Sequence, residues 1–455
     1  MPTPTSPAPA VLGDLNAITK LNAAADPAGP QWWQQKKEDG LHQLQSVGFP
    51  TQRVEDWKYT DVSQLLGLRF ALPVENLSGS SLTIGTLQKA GISLTDTKIE
   101  LVFVDGCFAP DLSRGQDLLP ENAFIGSVAE AWEECGENLA RHIGDNRSKN
   151  ETPFAHLNAA LMNDGACVFV PKGCALAETI HVIFLCAEAE KQSHPRNLLV
   201  VDDQAEISIV ESWCSLDDGQ AFTNPVTEVY LGDGAKCLHH IWQRLNDNTY
   251  LTSQTSVYQQ RNSTYQHHGI WLGAKLCRND LRVYLRGGGA ESRLDGLYVG
   301  RKDQHIDNHT YIHHEVPHCR SAELYKGILD DQSHGVFNGV VYVHPGASQS
   351  DAQQGNHNLL LSERATIDTK PQLEIFNDDV KCAHGSTVGQ LDPNSLFYLR
   401  SRGISQEQAE RMLTNAFAGD VVEAISLPTL KARAYEIVNE RLAELAHAQG
   451  EDQTA

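Results

Sequence analysis

From about residue 155 to about 400 the sequence is a succession of short apolar segments broken by turn residues, with no amphipathic helix between them. Segments 167–171, 180–186, 197–201, 206–212, 226–231, 281–285 and 294–299 are rich in Val, Ile, Leu, Phe and Tyr. Gly232-Asp233-Gly234, Gly273, Gly287-Gly288-Gly289 and Gly300 punctuate them. Such runs read as strands. A doubly wound α/β fold needs a helix after each strand, so it is excluded. A large sandwich, a barrel and a stacked β-helix all remain, because the spacing of the segments gives no clean repeat.

The flanks read differently. Residues 1–13 are Pro-rich and expected to be a disordered tail. Residues 14–150 form a mainly helical N-terminal domain, with helices expected over 14–46 and over 127–143, the second capped by Ser127. Residues 151–403 are the β core, and 404–455 turn helical again. Ser405-Gln406-Glu407-Gln408 has the form of a capping box, Gly419 interrupts, and a last helix starts at Ser426-Leu427-Pro428.

Composition narrows the function classes. With 36 basic and 58 acidic residues among 455, the formal charge is −22. That disfavours nucleic acid and anionic membrane as partners. No apolar run approaches the ~20 residues of a membrane span. The N-terminus lacks the basic and apolar regions of a signal peptide. Ten dispersed cysteines, none in a Cys-x-x-Cys pair, exclude zinc ribbons and thioredoxin-like motifs and read as free thiols of the cytoplasm. No phosphate loop, Gly-x-Ser-x-Gly elbow or His-Glu-x-x-His helix is present, so nothing marks the chain as an enzyme.

Two patterns could carry metal chemistry. In Lys381-Cys382-Ala383-His384-Gly385, a thiol and an imidazole stand two positions apart in an extended segment. Residues i and i+2 of a strand share a face about 6.5–7 Å apart, close enough to touch one metal or small cluster. Two ligands are too few for a closed site, so others must come from elsewhere in the fold or from a second chain. Histidines are the second pattern: 13 of 19 fall between 239 and 384, most densely in Gln304-His305-Ile306-Asp307-Asn308-His309-Thr310-Tyr311-Ile312-His313-His314-Glu315. As a strand, this segment puts His305, Asp307, His309, Tyr311 and His313 on an outer polar face and Ile306 and Ile312 toward a core. It reads as hydrogen-bonded ladders, or alternatively as a cupin-like, metal-dependent oxygenase site. The absence of a His-x-His pair within that run counts against the oxygenase.

The β core resembles the SufB/SufD iron–sulfur assembly family. The residues concerned are Arg293-Leu294-Asp295-Gly296-Leu297-Tyr298, Ser321-Ala322-Glu323-Leu324-Tyr325-Lys326-Gly327, Gly335-Val336-Phe337-Asn338-Gly339 and Gln349-Ser350-Asp351-Ala352-Gln353-Gln354. Lys370-Pro371-Gln372-Leu373-Glu374-Ile375-Phe376 and the Cys382/His384 run resemble the SufD branch in particular. In the first 150 residues the best anchor is Glu55-Asp56-Trp57-Lys58-Tyr59-Thr60. The resemblance implies a right-handed parallel β-helix flanked by an N-terminal helical (α+β) domain and a C-terminal helical region. It implies a non-catalytic scaffold that pairs with SufB and binds the SufC ATPase through the C-terminal helices. It also implies a transient iron–sulfur cluster shared with SufB, with His384 as a ligand and Cys382 beside it. A flavin in the complex, and a homodimer of the isolated chain, are left open.

Overall fold

In a computed structural model, residues 9–24, 29–73, 82–89, 91–92, 94, 97–144 and 151–452 are described. Their centre is a parallel β-solenoid of about eight turns. The chain alternates between two facing sheets, laying one strand on each per turn. The first sheet stacks Ile99–Val104, Ile180–Cys186, Glu206–Ser215, Lys236–Arg244, Thr264–Trp271, Glu291–Gly300, Arg320–Leu329, Ser350–Leu360 and Val380–Gly389. The second stacks Ala166–Val170, Arg196–Val201, Val226–Leu231, Tyr250–Gln259, Leu276–Leu285, His305–His314, His334–Val343 and Thr366–Ile375. This settles the three-way choice left by the strand pattern. A sandwich or barrel would not pair every strand in parallel with the one a full turn away.

The register explains why no repeat is visible in the sequence. Lys236 pairs with Thr264, Thr264 with Glu291, Glu291 with Arg320, and Arg320 with Asp351. Those steps are 28, 27, 29 and 31 residues, the surplus being absorbed at the corners. Corners leading into the first sheet carry a left-handed residue: Gln204, Gly234, Asn262, Gly289 and His318 have φ of 56°, 68°, 53°, 79° and 64°. His318 is therefore a turn residue rather than part of the histidine strand.

Alternation along each strand buries one face between the sheets, where Val168, Val182, Ile209, Val229, Val257, Val283 and Val341 form the main core. The outer face of the first sheet is covered by helices Gln406–Glu423 and Pro428–Asp452, whose Val421, Val422, Leu430, Val438 and Leu442 pack on Trp242, Ile270, Leu297 and Ile328. Lys326, buried beneath them, donates to Asp420 at 2.5 Å and to the Phe417 carbonyl at 3.0 Å. Gly419 does not interrupt its helix, which runs on to Glu423. The Ser405 hydroxyl caps it by accepting from the Gln408 amide.

The N-terminal part departs from expectation in four places. Residues 1–8 lie outside the described residues, but Ala10–Val11 pairs antiparallel with Arg69–Phe70, so the tail joins the fold. The expected helix over 14–46 is two, Leu15–Ala24 and Gln31–Val47. Gln31–Val47 lies on helix Pro153–Leu161 so closely that a Cβ on Gly40 would meet the Ala159 Cβ at 2.6 Å. The helix over 127–143 is also two, Val128–Glu134 and Gly136–His142, and Ser127 caps the first in a full capping box with Glu130. Finally, Ile99–Val104 is already a strand of the solenoid, so the β core begins some fifty residues earlier than the sequence suggests.

Candidate functional site

Cys382 and His384 lie on Val380–Gly389, the last strand of the first sheet. Their register partners on the preceding strand are Ala352 and Gln354, both buried. Ala352 belongs to the core between the sheets, and neighbouring residues of a parallel ladder share a face. Cys382, His384 and Ser386 therefore occupy the inner face of the solenoid. Among the described residues no further turn lies over them, and His384 is exposed and Cys382 half-buried. The structure thus places both candidates on one face, at the open end of the core.

Local electrostatics separate the two. Burial pushes the Cys382 thiol up, and the Asp351 charge adds to this against a backbone hydrogen bond from Ala352. A thiol so placed keeps its proton until a metal displaces it. Among the described residues no group of three or more His, Cys, Asp or Glu could hold a metal ion. The inner face at this end offers two donors in line and no closed shell.

Beneath them the interior turns polar. Glu323, fully buried, accepts from the Gln354 side-chain amide at 2.9 Å. Burial pushes its carboxyl up to about 7. Asn356 accepts from Thr369 at 2.8 Å and from Asn358 at 2.6 Å, and the Tyr298 hydroxyl donates to Asn358 at 2.5 Å. Sequence reasoning did not single out Glu323, Gln354, Asn356 or Asn358. The only local trace is the run of polar residues at alternate positions 354, 356 and 358, and the other face of the strand, with Asp351, Gln353 and His357, is polar too.

The histidine strand resolves differently. His305, Tyr311 and His313 are only partly covered, but Asp307 and His309 are buried. Residues 55–60 of the N-terminal part lie across them. Arg278 lies under the Trp57 ring at 3.7 Å and donates to the Asp56 carbonyl and to Asp307, both at 2.7 Å. Thr60 donates to Asp307 at 2.5 Å and meets His305 Nε2 at 2.8 Å. Burial alone would raise the Asp307 carboxyl, but His309, Arg278 and His305 hold it below the usual carboxylate range. Burial drives His305, His313 and His314 down to about 4, so their imidazoles are neutral near pH 7. His313 stacks on Tyr284 at 4.8 Å, and His314 bonds Ser321 at 2.8 Å. These residues fasten elements together on a solenoid wall. A cupin barrel, on which the oxygenase alternative rested, is not the fold.

Residues 184–417 match the family described as SUF system FeS cluster assembly, SufBD core domain, and residues 24–182 match the SufBD protein N-terminal region. The chain belongs to the SufBD family. An iron–sulfur cluster assembly SufBD family protein of Synechocystis is 33% identical over 89% of this chain and 90% of its own length. The iron–sulfur cluster assembly protein SufD of Escherichia coli is 30% identical over 88% and 91%. The chloroplastic protein ABCI7 of Arabidopsis thaliana is 30% identical over 88% and 84%. SufBD membership makes iron–sulfur cluster assembly the process in which this open-ended solenoid acts. Among the described residues no helix is long and apolar enough to cross a membrane.

Proposed function

We propose that this chain is a non-catalytic scaffold subunit of cytoplasmic iron–sulfur cluster assembly, contributing half of a cluster site to an interface with a SufB-type partner. One observation carries the reading: an exposed imidazole and a half-buried thiol stand together on the inner face of the final turn, with no third ligand nearby among the described residues. The nascent cluster is cargo, and the partner chain supplies its remaining ligands. His384 is the ligand from this side and Cys382 the accessory. An imidazole suits such a task because it binds iron and remains exchangeable.

The edges support pairing there. Thr366–Ile375 and Val380–Gly389 are the terminal strands of their sheets, and each leaves one side of its backbone unpaired. Edges of ten residues invite addition of strands from another chain. Exposed Ile375, Phe376 and Val388 add apolar surface at this end. The ATPase partner, of SufC type, would bind the C-terminal helical region. Helix Pro393–Ser401, which lies just before that region in a stretch expected to belong to the β core, buries none of its residues and presents Phe397 at 75% and Tyr398 at 57% exposure. ATP binding there would favour one arrangement of the two scaffolds over another through differential contacts.

The test is His384→Ala in the assembled complex. Cluster yield is expected to collapse while the subunits stay associated on gel filtration. A normal yield would remove the ligand role.

A further inference from the structure

The geometry points to Gln354 as the residue that positions His384 for iron, with Glu323 holding Gln354 in place. This rests on the ligand reading of His384. Glu323, Gln354 and His384 are successive register partners on three adjacent strands of the first sheet. Their backbones are about 4.8 Å apart, and all three side chains share the inner face. They form one column, running from the buried interior to the exposed last turn.

Hydrogen bonding gives the column a direction. The Gln354 amide nitrogen donates down the column to Glu323 Oε2 at 2.9 Å. The amide thus turns its nitrogen toward Glu323 and its oxygen away from it. The amide oxygen, Oε1, is then an acceptor, and it is buried without a hydrogen-bond partner. Leaving such an atom unsatisfied carries its desolvation penalty with nothing to offset it. The opposite wall makes room for the group: a Cβ on Gly339 would meet the Gln354 amide nitrogen at 2.3 Å. Gly339 clears the space that lets a glutamine extend across the interior.

The donor that is next in register is the His384 imidazole. A metal-bound histidine directs one ring nitrogen to the metal and donates from the other to a carbonyl or carboxylate, which fixes its tautomer and ring plane. Gln354 Oε1 supplies that acceptor. When iron engages one nitrogen of His384, the other donates its N–H to Gln354, and the buried oxygen gains its missing partner. Gln354 is thus a positioning residue: it touches neither iron nor sulfide.

The experiment uses the full chain assembled with its partners and loaded anaerobically with ferrous and ferric iron and sulfide, then reduced with dithionite. It reads iron retention against a chelator and the nitrogen hyperfine coupling of the reduced cluster by pulsed electron paramagnetic resonance. Gln354→Met keeps the volume and removes the acceptor. It is expected to weaken iron retention about 10- to 100-fold and to change the imidazole coupling, with an unchanged far-ultraviolet circular dichroism spectrum. Exchanging the pair, Glu323→Gln with Gln354→Glu, restores an acceptor and is expected to recover both signals. Should Gln354→Met not fold, Gln354→Asn, which withdraws the oxygen by one carbon, must show the same losses. Wild-type retention and coupling in these variants, with the coupling abolished by His384→Ala, would overturn the inference and leave the ligand standing. An imidazole coupling that survives His384→Ala would overturn both.

Discussion

The solenoid has two ends built from the same rungs in the same register, and the chain treats them in opposite ways. At the N-terminal end antiparallel strands close the ladders: Cys107–Phe108 turns back on Ile99–Val104, and Phe124–Ser127 on Ala166–Val170. Phe103, Phe184 and Trp213 stack inside, with ring centres 5.1 and 4.0 Å apart. At the C-terminal end the two last strands are left unpaired on one side, and the interior turns from valine to glutamine, asparagine and glutamate. A solenoid needs a cap at each terminus to be stable alone. One end carries its own cap in its sequence; at the other the last strand of each sheet lies open.

That contrast can be broken experimentally. The largest effect is expected at the closed end. Phe184→Ala empties the ring stack and should cost about 3–5 kcal/mol in urea unfolding. A loss below 1 kcal/mol would mean the stack does not anchor the fold. Next is Asp164, half-buried beside the same end, where its carboxylate accepts from the Gly165 and Phe108 amides at 2.8 and 3.1 Å. Burial raises it from 3.8 to about 7. An acid raised on folding favours the native state at low pH. Its contribution is complete below pH 4 and is lost as pH rises through 7. Asp164→Asn should therefore gain on the wild type between pH 4 and 7, by up to about 4 kcal/mol at 1.36 kcal/mol per unit. A pH-independent difference in thermal midpoint would contradict this. The smallest effect on the free chain belongs to the open end. Phe376→Asp with Val388→Lys should cost the isolated chain about 1 kcal/mol or less. The same pair should weaken association with a SufB-type partner about 30-fold, equivalent to about 2 kcal/mol. Undiminished affinity would place the interface elsewhere.

Legibility followed the range of the interactions. Ser127 was readable as a cap because its partner, Glu130, is three residues away. The strand at 180–186 was readable because a short apolar run carries its own signal. The stacking was not, since steps of 27 to 31 residues hide the repeat and only the corners absorb the difference. Cys382 and His384 were correctly put on one face by strand alternation, whereas their exposure at an open end depends on which turn comes last. The outer face assigned to Asp307 and His309 is real as alternation but is covered, because Trp57 and Thr60 lie over it from nearly 250 residues away. No local pattern in 304–314 announces that lid.

The same lid has a consequence for how the protein is born. Thr60 is 245 residues from His305 and 247 from Asp307, and Glu55 is 315 from Lys370. At about 5–20 residues per second a ribosome needs roughly 15–60 s to cover the longest of these intervals. Until it ends, the segment carrying Glu55 and Trp57 has emerged and part of its seat has not yet been made. Contacts this distant in sequence also make for slow folding. A segment synthesised early thus waits for part of its seat, and in the meantime the face it turns to that seat is open to whatever attends the nascent chain.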